Sequence, residues 1–150
     1  MTPEPAAASR AQMTNPDRYH HWTEVTLRFG DEDRMGHVNN AAYIEYFEAS
    51  RVPFLEQFVD TGRIDFVLAN ISVDYLKETR FPGVVRVGAC INKMGNKSVT
   101  THYAIFRDET CLATATCVNV FFDTLTRTSS APTHSTRARI EAHLQTFESC

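Results

Sequence analysis

The segment from Gly30 to Asn40 holds the side chains whose types and spacing suit chemistry. Three acidic residues, Asp31, Glu32 and Asp33, are followed within seven positions by a glycine, a histidine (His37) and two asparagines. A carboxylate can attack a carbonyl carbon or activate a water molecule. The segment therefore holds groups suited to acyl transfer.

Each of these residues also has an ordinary structural interpretation. Acidic surface loops are common, so the three acids are compatible with a solvated loop. A single histidine such as His37 is more often structural than catalytic. Asn39 and Asn40 are typical helix-capping residues. The residue types alone leave these alternatives open.

The elements on either side would position this segment. Before it, Val25, Leu27 and Phe29 alternate with polar residues, which predicts a strand with one buried face. After it, residues 41–58 predict a helix that begins at an N-cap formed by Asn39 or Asn40. The N-terminus of a helix presents unpaired N–H groups and a positive dipole, which suits a developing oxyanion.

The predicted helix has one aromatic face and one interruption. Its aromatic residues recur at helical spacing, and they are Tyr43, Phe47, Phe54 and Phe58. Pro53 lies inside the run and removes a backbone donor, so we expect the helix to kink there or its first part to end.

The remainder of the chain predicts four further strands. Alternating runs cover residues 67–75, 85–91, 99–105 and 112–122, with turn signals between the last three runs and before the second. Residues 134–147 predict a C-terminal helix. Short turns favour antiparallel neighbours, so the sequence predicts an α+β fold in which a sheet of roughly five strands wraps one long helix.

Length and composition limit the organisation and the partners. The 150 residues suffice for one domain, predicted over residues 21–150 after a disordered leader over residues 1–20. A net charge of −3 argues against nucleic acid as the main partner. No stretch approaches the roughly 20 apolar residues that span a bilayer, and no secretory signal is evident.

The four cysteines, Cys90, Cys111, Cys117 and Cys150, show neither metal-type pairing nor a disulfide framework. We interpret them as free thiols in a reducing compartment, which favours a cytoplasmic location. The sequence indicates no metal and no cofactor.

The acidic segment and the start of the helix resemble a known signature. The pattern D-x-D-x-x-G-H-V-N-N-x-x-Y is typical of the 4-hydroxybenzoyl-CoA thioesterase-like branch of the hot-dog superfamily. The matching residues are Asp31, Asp33, Gly36, His37, Val38, Asn39, Asn40 and Tyr43, followed by the run from Phe47 to Arg51. Weaker similarity continues through residues 86–88 and 106–108, so the resemblance covers most of residues 22–125.

The resemblance implies a hot-dog fold and an acyl-CoA thioesterase without a cofactor. It implies dimers or tetramers in which sheets join edge to edge and active sites lie at the dimer interface. The second acid of the pair, Asp33, would be the nucleophile or the general base. Amides between Gly36 and Asn40, including those of Val38 and Asn39, would polarise the thioester carbonyl, and Tyr43 would lie at the substrate.

His37 and Lys97 are further candidates from the same resemblance. His37 corresponds to a histidine of plant acyl-carrier-protein thioesterases, but those enzymes carry an asparagine where this chain has Met35. In relatives a basic loop contacts the CoA phosphates, and the corresponding loop here is 93–97, with Lys97 as the candidate. An ordinary solvated lysine is the alternative.

Two other functional classes fit the same fold. Hot-dog hydratases and dehydratases act on acyl thioesters with a differently placed motif, and the compact segment here fits a hydrolase better. A non-catalytic acyl-CoA-binding protein is the second alternative. The resemblance leaves open the acyl group, the choice between CoA and acyl-carrier protein, and the choice between dimer and tetramer.

Overall fold

A computed structural model describes residues 8–60 and 62–147, with side chains through residue 144. The helices are α1 (Arg10–Met13), α2 (Asn40–Glu56) and α3 (His134–Phe147). The strands are β1 (His21–Thr26), β2 (Ile64–Tyr75), β3 (Val84–Met94), β4 (Ser98–Arg107), β5 (Thr110–Asp123) and β6 (Thr128–Ser129). Short 3₁₀ turns cover Pro16–Arg18 and Phe29–Asp31.

Five long strands form one antiparallel sheet in the order β1-β3-β4-β5-β2, and the short β6 pairs with β5. One face of the sheet packs on α2, and this interface is the main core. The sheet curls around the helix, which confirms the predicted α+β architecture with one long helix. No helix within the described ranges is long and apolar enough to cross a membrane.

The connection between β2 and β3 departs from the simple expectation that consecutive strands are neighbours. β2 pairs with β5 at one edge of the sheet, whereas β3 lies beside β1 near the other edge. Residues 76–83 therefore cross the end of the sheet, directly beside the acidic segment. The amide of Val38 donates to the carbonyl of Thr79 (2.8 Å), and that of Phe81 donates to the Glu32 carboxylate (3.1 Å).

Helix α2 buries the predicted aromatic face. Tyr43, Phe47 and Phe54 are almost inaccessible, and Phe58 packs beside them just beyond the helix. The helix does not end at Pro53 but continues to Glu56. Pro53 is exposed, as is Ala49 four residues earlier, so the carbonyl that loses its partner can bind water.

Two predictions for the part of the chain that precedes the acidic segment differ from the structure. Phe29 does not continue β1, because the chain turns at Arg28 and leaves the Phe29 side chain 80% exposed. Of the leader predicted to be disordered, residues 1–7 lie outside the described residues, whereas residues 8–20 contain α1 and a 3₁₀ turn. Met13 and Tyr19 are buried there, because the Tyr19 ring packs against Phe106 and its hydroxyl donates to the Met13 carbonyl.

The cysteines only partly match the interpretation as free thiols. Cys111 and Cys117 are free, and burial raises their pKa values to about 11 and about 12. Cys90, however, is disulfide-bonded, so the interpretation is wrong for this residue. Cys150 lies outside the described residues.

Candidate active site

Asp31 is the buried anchor of the acidic segment. Its Oδ2 accepts hydrogen bonds from the Tyr46 hydroxyl (2.6 Å) and the Arg28 amide (3.0 Å), and its Oδ1 accepts from Arg28 Nε (3.0 Å). Burial alone would raise the pKa of the Asp31 carboxyl, but these hydrogen bonds outweigh it and hold the pKa below its ordinary value. With both oxygens engaged, Asp31 fixes the loop against α2.

Asp33 is more accessible and lies beside His37. Its Oδ1 accepts the amide hydrogen of Met35 (2.8 Å), which closes a tight turn within the loop. Its Oδ2 lies 3.5 Å from Nδ1 of His37, and both side chains are 27% exposed. Gly36 has a φ of 80°, a left-handed conformation that glycine adopts without strain, and this turn brings His37 back towards Asp33.

His37 lies between Asp33 and a small groove. Its Nε2 faces Oε2 of Glu78 at 3.9 Å, on the opposite side of the ring from Asp33. The groove has a volume of about 200 Å³, and its walls are formed by His37, Val38, Asn40, Tyr43 and residues 75–78. The helix N-terminus and the crossing segment 76–83 thus meet at His37.

Two tyrosines close the groove on the side of the sheet. The Tyr43 hydroxyl donates to the Lys77 carbonyl (3.4 Å), and the Tyr75 hydroxyl donates to the Asn40 carbonyl (3.0 Å). The two rings meet edge to face with centroids 5.5 Å apart. Tyr43 is buried, whereas Tyr75 is 43% exposed, so Tyr75 is the ring that a ligand in the groove can contact.

The backbone amides near the helix N-terminus differ in availability. The amides of Gly36, Val38 and Asn39 already donate to the carbonyls of Asp33, Thr79 and Asp31. The Asn39 side chain caps the helix by accepting from the Ala41 amide (2.9 Å). Asn40 is the first residue of α2, so its N–H has no acceptor within the helix. Asn40 also lines the groove, so its N–H is a candidate donor for an oxyanion.

A model of one protein family matches residues 27–145, and its description is the thioesterase-like superfamily. The chain belongs to this superfamily. The match includes the acidic segment, α2 and all the strands from β2 onward, and it confirms the family resemblance that the motif predicts.

Two curated proteins are similar to part of this chain. The long-chain acyl-CoA thioesterase FadM of Escherichia coli is 28% identical over 81 residues, which are 51% of this chain and 61% of that protein. An uncharacterised protein of Bacillus subtilis, YsmA, is 28% identical over 55% of this chain and 58% of its own length. The chain thus spans about three fifths of the curated relatives it matches.

A solved structure shows the fold of a relative. A thioesterase from Thermus thermophilus, solved with coenzyme A and zinc, superimposes with a TM-score of 0.74 at 26% identity. The superposition covers 81% of this chain and 98% of that one. Within the described part of this chain, no cluster of three or more His, Cys, Asp or Glu side chains is arranged to hold a metal ion.

All the predicted site residues except Lys97 lie together in the structure. Asp33, Gly36, His37, Val38, Asn39, Asn40 and Tyr43 surround the helix N-terminus. Lys97 does not join them within the protomer. It lies at the other end of the sheet, beyond the 11 residues of β3, or on the order of 30 Å away at roughly 3.3 Å per residue.

Sequence reasoning missed Tyr75, Lys77 and Glu78, which line the groove. Tyr75 is the last residue of the edge strand β2 and Lys77 and Glu78 follow it, so the charged residues Lys77, Glu78 and Arg80 before the Pro82 turn were a signal for a functional connection. What the sequence did not reveal is that this connection crosses the sheet end beside Asp33.

A larger cleft of about 740 Å³ lies on the opposite face of the sheet. Its lining includes polar residues of β2, β3, β4 and β5, among them Asp74, Lys93 and His102, and no residue of the 30–43 region contributes to it. Burial and the nearby Arg18 lower the pKa of His102 to about 4. The cleft is therefore separate from the candidate site.

Proposed function

We propose that this chain is an acyl-CoA thioesterase, which hydrolyses the thioester of an acyl- or aryl-CoA to the free acid and CoA. The observation that carries the proposal is the accessible carboxylate of Asp33 beside His37 at the N-terminus of α2. The relatives named as thioesterases, one acting on long-chain acyl-CoA and one solved with coenzyme A, support the substrate class.

The groups of the site suit each stage of this reaction. The carbonyl oxygen of the thioester would accept the Asn40 N–H at the positive end of the helix dipole, where negative charge develops in the transition state. Asp33 would act as the nucleophile that forms a mixed anhydride, or as the general base for water. In both routes the thiolate of CoA leaves and one water molecule is consumed.

The proposed functional unit is a homodimer or a homotetramer. β2 is an edge strand of the described sheet, and an unpaired edge favours association with a second copy. The groove lies at the Tyr75 end of that same edge. Pairing of two β2 strands would therefore bring a partner to the open side of the site. A cytoplasmic location stays a prediction.

The test is the Asp33→Asn variant on a panel of acyl-CoAs, with a thiol reagent to detect released CoA. The asparagine keeps an oxygen that can accept the Met35 amide, so the loop and the fold should persist. We expect turnover to fall by about 10²–10⁴-fold, since a general base contributes that much and a nucleophile more. Asp17→Asn, which replaces an exposed acid near the N-terminus, is the matched control.

Full turnover in the Asp33→Asn variant would exclude Asp33 as the reacting group. A wild-type protein that binds acyl-CoA but releases no thiol would favour the non-catalytic binding protein. Hydration of an enoyl-CoA without thiol release would favour the hydratase.

A further inference from the structure

We propose that Glu78 positions the water molecule that is consumed in the reaction, together with His37. This inference rests on the proposed thioesterase function and adds to it a residue outside the D-x-D-x-x-G-H-V-N-N segment. Glu78 belongs to the crossing segment 76–83 rather than to the loop that carries Asp33.

The first step of the argument concerns the hydrogen on the His37 ring. Nδ1 faces two acceptors, Oδ2 of Asp33 at 3.5 Å and the Val38 carbonyl at 3.4 Å. Because these acceptors lie closer to Nδ1 than Oε2 of Glu78 lies to Nε2, Nδ1 carries the hydrogen in a neutral imidazole and Nε2 has the lone pair. Asp33 and Val38 thus leave Nε2 of His37 as a proton acceptor on the groove side.

The second step concerns the gap between His37 and Glu78. Their facing atoms, Nε2 and Oε2, are 3.9 Å apart, which is too long for a direct hydrogen bond. A single water molecule fits within hydrogen-bonding distance of both atoms. Such a water would donate one hydrogen to Nε2 and the other to Oε2, so its lone pairs would be free to attack a carbonyl carbon.

The third step concerns the location of that water. His37, Glu78 and Asn40 all line the same groove, and the Asn40 N–H is the donor available for the carbonyl oxygen. A carbonyl bound there would therefore lie beside the water. The remaining lining residues are Val38, Tyr43, Tyr75, Leu76 and Lys77.

The reaction step balances without a further reactant. The water oxygen forms a bond to the acyl carbon while one of its protons passes to Nε2 of His37. The CoA thiolate has already left when the mixed anhydride with Asp33 forms, so in this step the acyl carbon loses its bond to Asp33 and the Asp33 carboxylate leaves. The proton then passes from His37 to the thiolate or to solvent.

The test compares Glu78→Ala, Glu78→Gln and Glu56→Ala in the full-length protein. We expect Glu78→Ala to lower kcat by about ten- to a hundredfold with KM nearly unchanged, since a misplaced reactant costs up to about 10²-fold. Glu78→Gln keeps a carbonyl oxygen that can accept from water, so it should recover most of the lost kcat. Glu56→Ala removes an exposed acid at the far end of α2 and should match the wild type.

A double variant separates positioning from a merely structural role. In a His37→Asn background the water has lost its proton acceptor, so adding Glu78→Ala should lower kcat by less than about threefold. The inference would be overturned if the loss of kcat in the double variant equalled the product of the losses in His37→Asn and in Glu78→Ala. A Glu78→Ala variant with wild-type kcat would also overturn it. In either case an inactive Asp33→Asn variant would leave the proposed function standing, whereas full activity in Asp33→Asn would remove its basis.

Discussion

Asp31 and Asp33 stand two positions apart in one loop, yet their surroundings assign them different tasks. The Asp31 side chain is 4% exposed and bonds Tyr46 and Arg28, whereas that of Asp33 is 27% exposed and faces His37. A carboxylate with both oxygens engaged in the interior cannot approach a substrate. The environment of each acid, rather than its type, separates structural support from proposed chemistry.

At this scale we predict that Asp31 makes stability depend on acid pH. The pKa of its carboxyl is lowered in the folded state, so the unfolded chain binds more protons as the pH falls below the ordinary carboxyl range. The contribution of Asp31 is therefore fully present above the pKa of the unfolded chain and is lost as the pH falls through the folded pKa. Asp31→Asn should lower the free energy of unfolding by about 1–3 kcal/mol at pH 7.

Urea denaturation at pH 7 and at about pH 3 checks this prediction. The difference in the free energy of unfolding between wild type and Asp31→Asn should be smaller at the lower pH. Protonation of Asp31 in the wild type then removes the negative charge that the variant already lacks. If the difference in the free energy of unfolding is the same at both pH values, the destabilisation of Asp31→Asn comes from packing rather than from charge. Turnover of Asp31→Asn should fall less than that of Asp33→Asn.

At the scale of elements, the crossing segment 76–83 holds the site together. Arg107 at the end of β4 donates to the Thr79 hydroxyl (2.8 Å) and to the carbonyls of Arg80 (2.6 Å) and Pro82 (2.6 Å). Arg80 in turn donates to the Gly36 carbonyl (2.9 Å). A guanidinium supplies several donors in a fixed plane, so one side chain can fix three acceptors.

We predict that Gly83→Ala disturbs this clamp. A Cβ at Gly83, where φ is 150°, would lie 2.1 Å from Nη2 of Arg107, so the guanidinium would have to leave its acceptors. Loss of these bonds, together with the strain of a side chain at this positive φ, should lower the free energy of unfolding by about 1–2 kcal/mol and should also lower kcat. Gly30→Ala is the matched control, because nothing lies within 4 Å of its added Cβ. Equal stability of the two variants by thermal unfolding would contradict the role given to Arg107.

Elements with a strong local pattern could be predicted, and those set by long-range packing could not. The aromatic face of α2 and its cap at Asn39 follow from helical spacing and capping chemistry. The placement of β2 at the edge beside β5 does not, because strand order depends on which edges meet after the sheet curls. Glu78 was missed for this reason, although Asp33 and His37 are identifiable from the motif.

At the scale of the whole molecule, the sheet has a site end and an opposite end. The Asp33 loop lies at the Tyr75 end of β2, and the hairpin with Lys97 lies at the Ile64 end, where the Lys97 carbonyl accepts the Phe121 amide. If two β2 edges pair in antiparallel fashion about a twofold axis, the end of one sheet that carries Lys97 lies beside the end of the partner's sheet that carries the Asp33 loop. Lys97 would then lie about two strand spacings, roughly 10 Å, from the shared edge.

We therefore predict that Lys97 serves the active site of the partner in the proposed dimer. Lys97→Ala should raise KM for acyl-CoA by less than about tenfold and leave kcat nearly unchanged, since an exposed phosphate contact contributes roughly 0–1 kcal/mol and binds ground and transition states alike. The effect should shrink as ionic strength rises. Lys97→Arg keeps the charge and should restore KM, and an acyl-pantetheine without the nucleotide should show no penalty.

Mixed dimers decide whether Lys97 acts across the interface. When Asp33→Asn and Lys97→Ala chains are combined, the site with an intact Asp33 receives the intact Lys97 of the other chain. Such dimers should show the wild-type KM with about half of the wild-type kcat, because one of the two sites is inactive. If Lys97 acted within its own chain, the active site would contain the alanine and KM would stay raised. Sedimentation that finds only the 17.0 kDa chain at micromolar concentration would exclude the arrangement altogether, because a monomer keeps Lys97 and Asp33 at opposite ends of the sheet.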